Sequence, residues 1–532
     1  MLLLFLVLFL NVKLVVKLVV LLLFLVLNVK METWRSFLRQ RFSWFYLIMI
    51  GLALVNFILN FSSLTSTYSL VIITGVVFWL MSLGAAYIIY GFVQSTGTEK
   101  LHQTVQLFFL LNVIISFAQL LVIMVDAGSL NPYTFQGMNQ KYFIGTGDHI
   151  RGLSFDVSTT NAVISGAGLI YFLFREKWLL VLTCMAAILL SASNFTNLVV
   201  VITLLFIFLF QSNRIQKTLI ILCACMLITF MAKVSPQNKH YIKYIYQKLS
   251  HQKIDTIPPD IGRPSLSSYP DSVLTAEERK KKFAMLYLDS LHQSKQYANR
   301  VSTSVSTQEL AADAVMFNKK PLIPVANIHS AAYQRKKDTT ILQKQLIDFA
   351  LATIPAFDTS LTHTQQQKLP GKLLAFQQSF QWLKKHPSRL LTGAGTGQFA
   401  SKLAFRATGT GIAGGYPNQL VYISDAFRDN HLNLYLNYFS KDKEIHSLVN
   451  SPDSVYDQLL AEYGLLGLFA FVFLYLGYFA RGMQKKSYRL PLLIVLSLTF
   501  MVGYWFEQLS IVILFELLLL LNLRENSGRT QT

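Results

Sequence analysis

Six positions in this chain place a chemically useful side chain in a polar setting: Arg151, Lys372, Arg406, His431, His446 and Glu462. The planar fork of an arginine grips two phosphate oxygens at once and stays charged at any working pH. Arg151 stands just before an apolar stretch, where a helix N-terminus also favours anions; anchoring a lipid headgroup is its plainer use. Lys372 and Arg406 (in SKLAFRATG, Ser401–Gly409) offer further cations, and simple solvation is the plainer reading of both. A histidine titrates near neutrality, which suits it to take a proton from a hydroxyl. His446 is the first candidate for that base and His431, in DNHLNLYL, the second. Glu462 heads an apolar run, where a charge is costly unless paired or wetted. It either orients a basic neighbour or caps a helix through the dipole.

Gly393, Gly395 and Gly397 lie in TGAGTGQF (Thr392–Phe399). A turn there could aim backbone amides at a phosphate. No strand-helix-strand unit surrounds it, so it is not a dinucleotide fingerprint. Gly464 and Gly467 are three apart and read as a place of close helix packing. The chain has no Asp-x-Asp pair, so a metal-bound nucleotide-sugar mechanism has no visible ligands. Neither a metal site nor a cofactor is expected.

The elements that must position these residues are mostly apolar. Of 532 residues, 53% are hydrophobic and 14% charged, with a mean hydropathy of +0.43; a soluble chain carries about a quarter charged residues. Apolar runs near 20 residues recur, the length that crosses ~30 Å of hydrocarbon. The formal charge of +20 raises nucleic acid as a partner, but much of the excess flanks apolar runs and no zinc-finger, RRM or basic-zipper pattern is present. Anionic lipid or phosphate fits better. Cys184, Cys223 and Cys225 all fall in apolar runs and read as packing residues.

The apolar runs predict spans near 42–62, 69–93, 104–125, 157–174, 178–193, 197–211, 215–234, 459–480, 491–505 and 508–523. The fold class is therefore all-α: a polytopic membrane protein of about ten transmembrane helices with one large, partly helical loop at 235–456. Residues 1–30 repeat LLLFLVL and NVK, resemble low-complexity sequence and would add an eleventh helix. They are expected to be dispensable, with Met31 an ordinary start. The domains are then 1–30, 31–234 with a small outward loop at 126–156, the large loop 235–456, and 457–532 with the last helices and a cytoplasmic tail. Short loops alternate between basic and uncharged, which puts the termini in the cytoplasm and both larger loops outside. Inside the large loop, 277–300 and 338–350 read as amphipathic helices. Lys368–His386 is a third, with Leu373, Phe376, Phe380 and Leu383 on one face and Pro387 as its stop.

Three pieces in this order resemble the O-antigen ligase/polymerase superfamily of bacterial surface-polysaccharide enzymes. They are HIRGLSFDVSTTNAVISG (His149–Gly166), KLLAFQQSFQWLKKHPSRLLTGAGTGQF (Lys372–Phe399) and the loop exit HSLVNSPDSVYDQLLAEYGLLGLF (His446–Phe469). The resemblance covers about 70 residues in motif and most of the chain in topology. It implies a metal-independent, inverting glycosyltransferase in the bacterial inner membrane. The donor would be an undecaprenyl-pyrophosphate-linked glycan, and the acceptor a sugar of a glycan repeat (polymerase) or of the lipid A core (ligase), on the periplasmic face. It also implies roles: His446 as base, Arg151 on the leaving pyrophosphate with Lys372 or Arg406, and Glu462 as support. The chain departs from the family twice. Lys372 stands where relatives commonly carry arginine, and Asp453, nine residues before Glu462, where many carry the histidine.

Other classes remain. A transporter or flippase of lipid-linked glycan would need no chemistry, but predicts ionisable groups in mid-membrane and duplicated halves. A sensor would use the large loop only to bind.

Overall fold

Hydrocarbon offers a backbone no hydrogen-bond partners, so apolar runs of this length are driven to helix. The computed structural model describes residues 1–61, 66–127, 130–134, 150–234, 370–407, 422–438, 451–481 and 487–529, except 12 and 29. Among them every regular element is helical. The helices expected at 277–300 and 338–350, and His446, lie outside the described residues.

The chain opens with α1 (Leu2–Phe9), α2 (Leu14–Asn28) and α3 (Met31–Leu38), followed by α4 (Arg41–Leu59), α5 (Ser66–Ser95) and α6 (Thr98–Ala127). Next come α7 (Ser158–Phe174), α8 (Trp178–Leu190), α9 (Asn194–Phe210) and α10 (Arg214–Thr229). The loop region contributes α11 (Gly371–Lys385), α12 (Lys402–Ala407), α13 (Asp425–Asp429) and α14 (His431–Tyr438). Then follow α15 (Val455–Phe469), α16 (Gly477–Ala480), α17 (Arg489–Thr499), α18 (Trp505–Gln508) and α19 (Ser510–Arg529). Helix starts follow local chemistry. At α10 the Asn213 carboxamide accepts from the Gln216 amide at 2.9 Å while Gln216 accepts from the Asn213 amide at 3.0 Å, satisfying two donors that a helix end leaves open.

Among the described residues five helical stretches are long and apolar enough to cross a membrane: Arg41–Leu59, Thr67–Ser95, Thr98–Val125, Arg214–Val234 and Val455–Ala480. Each falls on an expected span. Four more apolar helices, α7, α8, α9 and α17, are shorter. Ile58, Val125, Phe210 and Ile228 are each at least 66% exposed. Such faces are costly in water and ordinary in lipid. The chain is an all-α, membrane-embedded protein.

The contacts divide into two units. The first comprises Met1–Ile50, Val77–Pro264 and Phe469–Thr532; the second comprises Gly51–Val76 and Ser265–Leu468. In the first, α7 is central: 15 of its 17 residues are buried, and Gly168 leaves room for the Phe109 ring, which a Cβ would meet at 2.7 Å. An aromatic cluster of Phe45, Trp79, Phe471, Tyr475 and Phe506 fills another part of this unit, with ring centroids 5.2–6.0 Å apart along its contacts. Glu516, on α19, is fully buried and accepts a hydrogen bond from the Tyr46 hydroxyl.

Residues 1–30 form two helices, not one, and they are built into the first unit. Phe5, Phe9 and Phe24 are fully buried, and Lys17 donates to the Gln508 carbonyl and the Ser510 hydroxyl, each at 2.8 Å. Each large apolar side chain removed from such a setting loses ~1.5–3 kcal/mol. Deleting residues 1–30 should therefore lower the melting midpoint of purified protein in detergent by several degrees. An unchanged midpoint would show that these contacts carry no stability.

In the second unit α11 appears where expected and ends before Pro387, but it buries a different face. Gly371, Ala375, Ser379 and Leu383 point inward, whereas Leu373, Phe376 and Phe380 are 41–57% exposed. Small side chains let the helix backbone come close to its neighbours, and this outweighs the larger apolar stripe.

Candidate functional site

The second unit is organised around the glycine turn and the start of α15. Gly464 has φ 66° and ψ −164°, so the helix breaks inside α15. The break frees backbone groups that the turn then uses. Leu465 and Leu466 donate to the Leu390 and Leu391 carbonyls at 3.0 and 3.2 Å, and Ala394 and Gly395 donate to the Ala461 and Glu462 carbonyls at 2.8 and 3.1 Å. The two strings of backbone are interlocked. A Cβ on Gly464 would lie 2.4 Å from the Leu391 oxygen, and one on Gly393 (φ 75°) 2.4 Å from the Glu462 carbonyl carbon. Gly464 thus permits a close approach, but to the turn and by breaking its helix.

Inside this interlock sits the Glu462 side chain, fully buried. Its Oε2 accepts from the Gly397 amide at 2.8 Å, and its Oε1 from Phe399, Ala400 and Ser401 at 2.9, 3.1 and 3.1 Å. The carboxylate neither caps its own helix nor meets a basic side chain among the described residues; it gathers the turn that opens α12. The glycine amides expected to face a phosphate have internal acceptors: Gly393 donates to the Arg389 carbonyl at 2.7 Å, Gly395 to the Glu462 carbonyl and Gly397 to the Glu462 carboxylate. The anion this turn cradles is its own glutamate.

Beside the turn, His431 opens α14 and is fully buried. Its Nε2 lies 2.6 Å from Oδ2 of Asp457, itself buried on α15. The His431 Nδ1 and the other Asp457 oxygen have no hydrogen-bond partner among the described residues. Phe399 stands edge-on to the imidazole at 4.8 Å, and Trp382 packs against Phe399 at 5.4 Å. A carboxylate on one ring nitrogen fixes the tautomer and leaves the other nitrogen as the acceptor. That is the arrangement of a positioned base.

Lys372 and Asp453 meet. Lys372 Nζ is 3.6 Å from the Asp453 carboxylate, and it donates to the Ser451 carbonyl at 2.9 Å and to the Asp453 carbonyl. Burial lowers the Lys372 pKa, and the Asp453 charge opposes that shift. An incoming phosphate would have to compete with these oxygens for the ammonium.

The end of α4 and the residue after it brace the same turn. Asn56 donates to the Thr392 carbonyl at 2.7 Å and Asn60 to the Ala394 carbonyl at 3.2 Å. Arg389 donates to the Asn60 side-chain oxygen at 2.7 Å and to the Leu59 carbonyl at 3.3 Å. None of these three was singled out in the sequence, although an asparagine pair at i,i+4 in an apolar span was a visible signal.

Arg151 belongs to the first unit, where a buried amide network builds its turn. Its backbone amide and that of Gly152 donate to the Gln119 side chain at 2.8 and 2.9 Å, and the Leu153 amide to Asn112 at 2.9 Å. Asn161 donates to the Ile150 carbonyl at 3.2 Å and accepts from Asn112 at 2.8 Å. Gly152 (φ 59°) is required because a Cβ would fall 2.3 Å from the Asn161 oxygen. The backbone of Arg406 lies in α12, but its side chain is outside the described residues. Among the described residues no cluster of three or more His, Cys, Asp or Glu could hold a metal ion. Compared with known families, curated proteins and solved structures, the chain matches no family model, no curated protein and no solved structure.

Proposed function

We propose that this chain is a membrane glycosyltransferase of the O-antigen ligase/polymerase type. It would reside in the bacterial inner membrane with about ten spans, its large loop and active site facing the periplasm. The donor is an undecaprenyl-pyrophosphate-linked glycan, and the acceptor a sugar hydroxyl of a glycan repeat or of the lipid A core. The observation that carries this reading is the His431–Asp457 pair, which ties a histidine lying between two family-like segments to an aspartate within the second of them and leaves one ring nitrogen without a partner among the described residues. In the proposed reaction the acceptor oxygen attacks the anomeric carbon in line, and its proton passes to His431 Nδ1. The bond from that carbon to the pyrophosphate oxygen breaks, inverting the configuration. The departing charge is assigned to a cation, because a guanidinium stabilises charge as it develops; the resemblance gives that role to Arg151, with Lys372 or Arg406. His431 replaces His446 as first choice of base; Glu462 acts by holding the turn.

The test is transfer itself. Purified protein in vesicles, given the lipid-pyrophosphate glycan and a labelled acceptor, should form a new glycosidic bond in the presence of excess chelator. Donor left intact throughout, or activity recovered only with added magnesium or manganese, would remove this mechanism.

One observation favours the transporter reading: Glu516 is a carboxyl group buried within an apolar helix. Movement of intact donor across the same vesicles, with no new bond, would identify that activity instead.

A further inference from the structure

Four arginines from three separate parts of the chain line one cavity of the first unit, about 530 Å³ in volume. Arg39 follows α3, Arg41 opens α4, Arg481 follows α16, and Arg524 lies in α19. Among the described residues no acidic one lines the cavity. Arg39, Arg41 and Arg481 have no carboxylate partner among the described residues, and all three are exposed. Arg524 is braced by donating to the Val93 and Thr96 carbonyls at the end of α5. Guanidiniums gathered this way repel one another, and an anion between them removes that cost.

The rest of the cavity narrows the choice of anion. Gln40 joins two tyrosines in its lining: it accepts from the Tyr478 hydroxyl at 3.0 Å and donates to the Tyr90 hydroxyl at 3.4 Å. This network holds polar groups beside the arginines. Part of the lining is apolar, with Phe473, Leu520 and Leu523. Arg41 opens the apolar helix α4, Arg481 follows α16 and Arg524 follows the apolar run of α19, and lipid headgroups lie where apolar spans end. A site lined both by cations and by apolar side chains matches a phosphate that carries acyl chains.

We propose that this cavity binds a phosphate group, presented by an anionic phospholipid headgroup whose chains lie along Phe473, Leu520 and Leu523. It is a lipid site of the first unit and requires no glycosyl transfer.

The experiment uses the full chain in neutral detergent and follows its melting midpoint against added phosphatidylglycerol, phosphatidylcholine or inorganic phosphate. Phosphatidylglycerol should raise the midpoint saturably, and phosphatidylcholine should not. The variant Arg39→Gln/Arg481→Gln removes two exposed guanidiniums with no carboxylate partner. It should weaken the phosphatidylglycerol response about fivefold for each arginine, roughly thirtyfold for the pair. Should that variant fold poorly, Arg41→Gln alone should still show the fivefold loss. An equal response to inorganic phosphate, lost in the variant, would keep the anion site and assign it a free ligand. A response to phosphatidylcholine as strong as to phosphatidylglycerol, an undiminished response in the variant, or no response to either anion would overturn the proposal.

Discussion

Replacing Glu462 with alanine should unfold the second unit or leave it barely stable. The substitution strands four buried amides, of Gly397, Phe399, Ala400 and Ser401, that now share one carboxylate. A single buried donor left without an acceptor costs ~1–3 kcal/mol. Four do not add fully, because the turn can relax, but a loss of about 3–5 kcal/mol is the expected scale for removing one partner of a buried charged network. Glu462→Gln should fall between, since it keeps the volume and one acceptor oxygen. Trp382 reports the change directly, being packed against Phe399 and the sole tryptophan of its unit. Thermal unfolding followed by tryptophan emission, with glycan transfer measured on the same samples, makes the check. Wild-type stability in Glu462→Ala would show that the clamp described here does not hold the turn.

Replacing His431 with alanine should lower turnover ~10²–10⁴-fold, the usual worth of a positioned general base, with little change in donor binding. Asp457→Asn keeps the shape of the pair but removes the charge that fixes the imidazole, so its turnover should also fall. His446→Ala is expected to stay close to wild type. The pairing is buried, so protein yield and melting midpoint must be followed in each variant. A folded His431→Ala protein with near-normal turnover, beside an inactive His446→Ala, would return the base to His446.

How much of this was legible beforehand depends on the kind of force involved. The long spans were read closely, 42–62 against Arg41–Leu59 for example, because length and apolarity alone select helix in hydrocarbon. The end of α11 was equally plain, since Pro387 cannot continue it. Its buried face was not. Apolar periodicity assumes water on the far side, and here Gly371, Ala375 and Ser379 turn inward because they are small. At the site, Glu462 and the glycine turn were flagged as residues, but their partnership was invisible. The turn contributes backbone amides 61 to 65 positions away from Glu462, and amides leave no mark on a sequence. The Asn112, Gln119 and Asn161 network beneath Arg151 has the same character, with polar side chains on apolar spans that serve backbone elsewhere.

The bracing of the turn by Asn56 also fixes an order of events during synthesis. Asn56 and its acceptor, the Thr392 carbonyl, are separated by 336 residues. At about 5–20 residues per second, translation takes roughly 17 to 67 seconds to bring the second group into being after the first. Helix-coil relaxation is complete in about a microsecond, so α4 forms and settles long before its purpose exists. Throughout that interval the Asn56 amide lacks the Thr392 and Glu462 carbonyls that it meets in the finished protein. The nascent second unit is therefore a waiting structure, completed late by a segment that must come back and lock onto it.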